Sequence, residues 1–242
     1  MSTIWLEEKH GLRMVAHRGL SGLETENTHA AFVAAGNRRY FGIETDVHKT
    51  ADGEFVVIHD DTTARVAGDD LSVEGSTFEE LRALLLKQKD GQKGRTDIRI
   101  PTLEEYIRIC KQYDKTAVLE LKNRFAVEDL REVVRRIEEI GWLSRVVFIS
   151  FWYENLTDLR EILPEQPMQY LTGVRDDFDW LIPELASHGM DLDVQWGAVN
   201  EELMALCRKH GVAVNCWTVD HPDDAKRLIA LGVNYITSNI LE

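Results

Sequence analysis

Eight short runs rich in β-branched and other apolar residues, centred on Val15, Ile43, Leu119, Phe148, Gln169, Leu192, Val214 and Ile236, recur along the chain with helical patterns after most of them. A strand that feeds a helix and then another strand produces parallel pairing, because the helix carries the chain back to the end from which the strand began. Eight such units suit a closed barrel better than an open sheet, whose two edge strands would need protection. The expected fold class is α/β: a single (β/α)8 TIM barrel over residues 1–242, a length that such barrels commonly occupy as one domain.

Local signals agree with this alternation. Thr102 and Glu105, after Pro101, form a capping-box pattern ahead of Leu103 to Lys111. Leu130, Val133, Val134 and Ile137 share one face of a helix predicted over Glu128 to Ile140. Near the other end, Pro222 suits a first helical turn and Gly232 a stop after Leu231. One region departs from the pattern. Ala51-Asp52-Gly53 is a turn signal, so the second strand is expected to continue into a hairpin ending at Val56-Val57-Ile58-His59. Residues from about 60 to 99 then make a small polar insertion with one helix around Phe78 to Leu86, too long for a simple connection and expected as a cap or rim element at the barrel mouth.

Charge narrows the function classes. A formal net charge of -14 repels polyanions, so nucleic acid and stable membrane association are not expected. A phosphate-bearing small molecule would need its charge met locally, by a metal or a few positioned Arg and Lys side chains. Cys110, Cys207 and Cys216 are too few and scattered for a disulfide framework, and no apolar run reaches the length of a signal peptide or membrane helix, so a cytoplasmic setting is expected.

Side-chain parity along the strands singles out a site. Alternate strand residues share a face, so Glu44 and Asp46 point into the barrel while Ile43 and Val47 point to the helices; Glu120 and Lys122 repeat the pattern with Leu119 and Leu121 outside. Any one of these carboxylates is compatible with a structural ion pair. Three of them inward on neighbouring strand ends are costly unless a cation neutralises them, and they form an all-oxygen site for a hard divalent ion. His17 closes the first strand and His59 the hairpin, both where barrel active sites form, and two imidazoles can serve as general acid and general base near neutral pH. His48 shares the face of Glu44 and Asp46 without being assigned to the site, while His10, His29, His188, His210 and His221 read as surface residues. Trp152, Trp196 and Trp217 near strand ends are candidates for an apolar wall or a cation-π face, and Ser150 and Asn215 are weaker candidates for the same cavity.

Ala16-His17-Arg18-Gly19, Glu26-Asn27-Thr28 with Ala31-Phe32, Gly42 through Asp46, Asp52-Gly53 and Val57-Ile58-His59-Asp60 resemble the glycerophosphodiester phosphodiesterase family. The likeness continues through Pro101-Thr102-Leu103-Glu104-Glu105, Leu119-Glu120-Leu121-Lys122, Ser150-Phe151 and Trp217-Thr218-Val219, in the family's order and over nearly the whole chain. The resemblance implies a barrel enzyme that hydrolyses small-molecule glycerophosphodiesters to an alcohol and glycerol 3-phosphate. It implies one divalent cation, Mg2+ or Ca2+ with Mn2+ as a third option, held by Glu44, Asp46 and Glu120. It further implies His17 and His59 as the acid and base, Arg18 and Lys122 as phosphate contacts, and Trp217 as a substrate contact, with oligomeric state undetermined. Two departures touch the rim of the mouth: Thr25 stands where proline commonly precedes the Glu-Asn-Thr triplet, and Ser238-Asn239 where an acidic residue commonly follows the last strand's threonine. The rival readings are a related phosphodiesterase acting on lysophospholipids and a non-catalytic phosphodiester-binding barrel. A metal-dependent amidohydrolase fits less well, because those sites generally rest on several histidine ligands.

Overall fold

The computed structural model describes residues 2–7 and 11–242, so His10 lies outside the described residues. Its strands are β1 (Arg13–Ala16), β2 (Gly42–Lys49), β3 (Phe55–Val57), β4 (Thr116–Leu121), β5 (Val146–Ser150), β6 (Met168–Thr172), β7 (Asp191–Gln195), β8 (Val214–Trp217) and β9 (Tyr235–Ser238). Parallel pairing runs from β1 through β2, β4, β5, β6, β7, β8 and β9, and β9 returns to pair with β1. The sheet therefore closes, which leaves no free edge among these eight strands. All eight expected strand centres fall within them.

Closure sorts the strand residues into two environments. Ile43, Leu119, Phe148, Leu192, Val214 and Ile236 are fully buried between sheet and helices. Each such side chain contributes roughly 1.5–3 kcal/mol through removal of apolar surface from water. Inside the barrel, Val15, Val118, Val147, Ile149 and Leu171 form a separate apolar cluster below the mouth. The helix signals are satisfied as written: Thr102 caps Leu103–Gln112 through a capping box with Glu105, Pro222 opens Pro222–Leu231, and Gly232 ends it in the left-handed region at φ 87°. The one-faced helix runs Val127–Ile140 and buries Leu130, Val133, Val134, Ile137 and Ile140.

β3 is the hairpin strand. It pairs antiparallel with β2, Val47 opposite Val57 and Lys49 opposite Phe55, after a turn in which Gly53 takes φ 86° and donates to the Thr50 carbonyl at 3.0 Å. The insertion that follows has a small core of its own, built by Val66, Val73, Leu81, Leu86, Ile98 and Ile100 against Val56 and Ile58 of the hairpin. Its helix is Phe78–Ala83, shorter than the Phe78 to Leu86 expected. Leu84 turns extended, and the Leu86 N–H donates to the Ile98 carbonyl at 3.2 Å, which directs Leu86 into that core. A second short helix, Ala64–Ala67, had no helix-length periodicity to announce it. The insertion is tied to the loop after β1: Thr25 donates to the Lys87 carbonyl at 2.9 Å and Lys89 to the Ser21 carbonyl at 2.7 Å. Thr25, the residue that stands in place of proline, is thus one of the ties between the first loop and the insertion.

Candidate active site

The site begins with a sharp turn at the end of β1. Arg18 adopts φ 52°, a conformation uncommon for a side-chain-bearing residue, and this turns its backbone N–H onto Glu44 Oε2 at 2.7 Å. Gly19 follows at φ 75°, where a Cβ would come within 2.7 Å of the Ala31 backbone, so only glycine lets the first helix pack this close. Asn27, also at positive φ, donates to Asp46 Oδ2 at 2.7 Å and accepts from the Thr45 hydroxyl at 2.7 Å. Thr28 then caps helix His29–Gly36. The loop from His17 to Thr28 thereby fixes both acidic residues of β2.

Glu44 and Asp46 on β2 and Glu120 on β4 each offer a carboxylate oxygen, and these oxygens lie within 4.8 Å of one another with all three residues buried. Burial, reinforced by Asp46 and Glu120, raises Glu44 well above the ordinary carboxylate range. Burial and Asp46 push Glu120 up to about 8 despite Lys122. For Asp46, burial acts in the same direction, but Lys122 and Arg18 together hold its pKa well below the usual value. The cationic neighbours do not close the cluster. Lys122 Nζ pairs with Glu120 Oε1 at 2.9 Å and stands 3.5 Å from Asp46 Oδ1, which is buried without a hydrogen bond. One ammonium offsets only part of the desolvation cost of three buried carboxylates. A donor set of three carboxylates with unspent oxygens fits a hard divalent cation.

Each histidine is held at Nδ1. Asn239 turns its Nδ2 to Asp220 Oδ2 at 2.6 Å and its backbone N–H to Asp220 Oδ1 at 2.8 Å, so its Oδ1 faces His17 Nδ1 at 2.8 Å. An amide oxygen only accepts, so His17 carries its proton on Nδ1 and keeps the Nε2 lone pair. Burial, aided by Arg18, lowers its pKa to about 4. His59 Nδ1 lies 2.7 Å from Asp60 Oδ1, a carboxylate in place of an amide. Burial lowers the His59 pKa against the opposing pull of Asp46 and Asp60. Asp60 is in turn bound by Arg65 Nε at 2.6 Å, and Arg65 reaches Glu26 at 2.7 and 2.8 Å, which pairs with Arg18 at 2.9 Å. One residue of the insertion, Arg65, thus joins the His59 side of the site to the Arg18 side.

His17, Arg18, Glu44, His59 and Glu120 line one cavity of about 90 Å³ at the C-terminal mouth of the barrel, together with Phe151, Asp193 and Trp217. Phe151 meets Trp217 edge-to-face with ring centroids 5.7 Å apart. Asp46 and Lys122 adjoin this lining through Glu120, whose Oε1 lies 2.9 Å from Lys122 Nζ, and Lys122 Nζ lies 3.5 Å from Asp46 Oδ1. No insertion residue from 60 to 99 is among those lining the cavity.

Several weaker candidates lie elsewhere. Trp152 precedes helix Tyr153–Ile162 and is 45% exposed, and Trp196 lies under the Arg227 guanidinium at 5.7 Å; neither lines the cavity. Ser150 is spent on the strand-end turn, donating to the Leu121 carbonyl at 2.8 Å and accepting from Trp152 N–H at 3.1 Å. His48 is fully buried beside the His59 carbonyl, 3.3 Å from Nε2. Three residues escaped the sequence reading. Asn239 stands out in the sequence only as a departure, and Asn27 only as part of a motif. Asp193 alternates with Leu192 and Val194 by the same parity that identifies Glu44 and Asp46, which is the signal that marks it.

The profile of the Glycerophosphoryl diester phosphodiesterase family matches residues 17–241. A glycerophosphodiester phosphodiesterase of Caldanaerobacter subterraneus is 32% identical over 228 residues, covering 93% of each chain. Among solved structures, a glycerophosphodiester phosphodiesterase from Thermotoga maritima superposes with a TM-score of 0.75 at 26% identity, covering 96% of each chain. A phosphodiesterase from Oleispira antarctica, in complex with the product sn-glycerol-3-phosphate, gives 0.81 at 24% identity over 94% of this chain and 93% of its own, a likeness of fold.

Proposed function

The chain belongs to the glycerophosphoryl diester phosphodiesterase family, and from that premise we propose that it hydrolyses glycerophosphodiesters to an alcohol and glycerol 3-phosphate. The observation that carries this reading is the convergence of two Nδ1-held histidines and a three-carboxylate cluster on one cavity at the barrel mouth.

In this reading Glu44, Asp46 and Glu120 hold one divalent cation, Mg2+ or Ca2+ with Mn2+ as a third option. Bound there, the ion supplies neutralisation of phosphate charge as it builds in the transition state. Arg18 and Lys122 contact the phosphate oxygens, their own charge kept in place by Glu26, Asp46 and Glu120. His17, backed by a neutral amide, is the group that accepts a proton at Nε2 from the nucleophile. His59, backed by the Asp60 carboxylate, is the group better able to carry a proton, and it donates to the leaving alkoxide. Trp217 and Phe151 flank the departing alcohol.

Phe151, which lines the cavity, remains 44% exposed, which favours a second substrate class, lysophospholipids with an apolar tail. The proposed partner is a small molecule rather than nucleic acid or membrane, consistent with the charge of -14. Among the described residues no helix is long and apolar enough to cross a membrane. Three free, buried cysteines support a cytoplasmic setting. The whole chain is taken as one catalytic barrel with its insertion over residues 60–99.

The test is to strip the protein with a chelator, supply glycerophosphocholine, and assay glycerol 3-phosphate on return of magnesium, calcium or manganese. Cation-dependent release of glycerol 3-phosphate is expected, with lysophosphatidylcholine run alongside. Turnover unaffected by chelation would remove the role given to the carboxylates, and ligand binding without product would leave a binding barrel.

A further inference from the structure

The hydrolytic groups occupy one side of the cavity. In the closed strand order β7 lies opposite β2, and from that side β6 to β9 send Gln169, Asp193, Asn215 and Thr237 into the interior, all of them buried. Asn215 organises the group. Its Nδ2 lies 3.1 Å from Gln169 Oε1 and 3.2 Å from Asp193 Oδ2, and its Oδ1 accepts from the Thr237 hydroxyl at 3.2 Å. The Asp193 carboxyl is therefore gripped by one oxygen. The other, Oδ1, is buried without a hydrogen bond, on a residue that is 1% exposed and lines the cavity of His17 and His59.

An unpaired buried carboxyl oxygen is costly, and here its neighbours in the cavity wall include apolar Ile149 and Leu171. Nothing in the hydrolytic scheme uses it. We propose that Asp193 is a specificity-determining residue whose free oxygen hydrogen-bonds a hydroxyl of the substrate's glyceryl group, with Asn215 holding the carboxyl and Gln169 and Thr237 holding Asn215. This deepens the reading of the site as a glycerophosphodiesterase and rests on it.

The chemistry of the partner follows from what the oxygen can accept. A hydroxyl both donates and accepts, so it pairs with this carboxyl in either protonation state. A phosphate oxygen only accepts, and its cationic partners, Arg18 and Lys122, stand with β2 and β4. A quaternary ammonium has no N–H to give. A site built to meet a hydroxyl rejects the analogue that lacks it far more strongly than an apolar pocket rejects an extra methylene, because the site's own polar group is then left unpaired.

Calorimetry on the full-length protein, loaded with the cation that supports activity, compares glycerol 3-phosphate with n-propyl phosphate, which lacks both free hydroxyls. The wild type is expected to prefer glycerol 3-phosphate by on the order of 10,000-fold. Asp193→Leu is expected to abolish that preference while leaving propyl phosphate affinity within about threefold, and Asp193→Asn, which can still pair with a hydroxyl, to keep most of it. Equal wild-type affinity for the two ligands overturns the inference without any variant, and so does an Asp193→Leu protein that weakens both ligands alike. Failure here is separable from failure of the functional reading. Release of glycerol 3-phosphate from glycerophosphocholine without hydroxyl discrimination defeats this inference alone, whereas discrimination without turnover defeats the hydrolytic reading.

Discussion

Asn239 Oδ1 lies 2.8 Å from Nδ1 of His17 and is aimed there because Asp220 takes both N–H groups that Asn239 offers on its other side. The contact fixes a tautomer: Nδ1 donates, and Nε2 is left with a lone pair. Removing the acceptor in Asn239→Leu frees the ring. The expected result is a kcat about 10- to 100-fold lower with KM changed little, since a displaced proton acceptor slows the chemical step more than binding. In Asn239→Asp the acidic limb of the pH–rate profile should move upward, because a carboxylate favours the imidazolium. Unmoved profiles in both variants would dismiss Asn239 as a positioning residue.

Glu120 carries a prediction whose sign depends on the cation. Its folded pKa is raised, from an ordinary 4.5 to about 8, so the unfolded chain ionises first. The metal-free protein should lose stability as pH rises from about 4.5 through about 8, on the order of 5 kcal/mol from this group. Glu120→Gln removes that loss and should melt a few degrees higher than wild type in chelator at pH 8. With saturating cation the order should reverse, because the variant has lost a ligand. Thermal melting of both proteins in chelator and in magnesium, calcium or manganese reads the effect.

The two histidines should separate by leaving group. His17→Ala and His59→Ala are each expected to cost on the order of 100- to 10,000-fold in kcat toward glycerophosphocholine. A diester that releases p-nitrophenol needs no proton on departure, so His59→Ala should recover most of its activity with it while His17→Ala should not. Recovery by the other variant would exchange the acid and base assignments, and near-native activity in either would remove that histidine from the reaction.

His17 also links stability to acid. Its folded pKa falls from 6.5 to about 4, so between those values the unfolded chain binds the proton that the folded site refuses. Stability contributed by this group is present above pH 6.5 and is lost as pH falls toward 4, by about 3 kcal/mol. His17→Gln should flatten the decline in denaturant midpoint between pH 6.5 and 4. A parallel decline in both proteins would place the acid sensitivity elsewhere.

Much of the architecture was legible because strand parity and helix capping are local. Ile43 against Glu44, or Leu119 against Glu120, states which side faces the helices before any neighbour is known. Thr102 and Glu105 announce a helix start within four residues. The insertion was harder to read. Leu86 continues the apolar pattern of its helix in sequence, yet it leaves the helix to pack beside Ile98 because a small separate core required it there.

The eight strand-helix units, the inward carboxylates and the strand-end histidines were readable from the chain, since each follows from periodicity within a few residues or from motifs read in order. How those groups are held depends on contacts between distant parts of the folded chain. Asn239 comes 222 residues after His17, and Arg65 comes 39 after the Glu26 that it binds. Asp193 acquires its unpaired oxygen only when β7 closes against β8 and Asn215 claims the other one. Hydrogen-bond geometry depends on separations of a few tenths of an ångström between residues far apart in the chain, and such separations exist only once the sheet has closed.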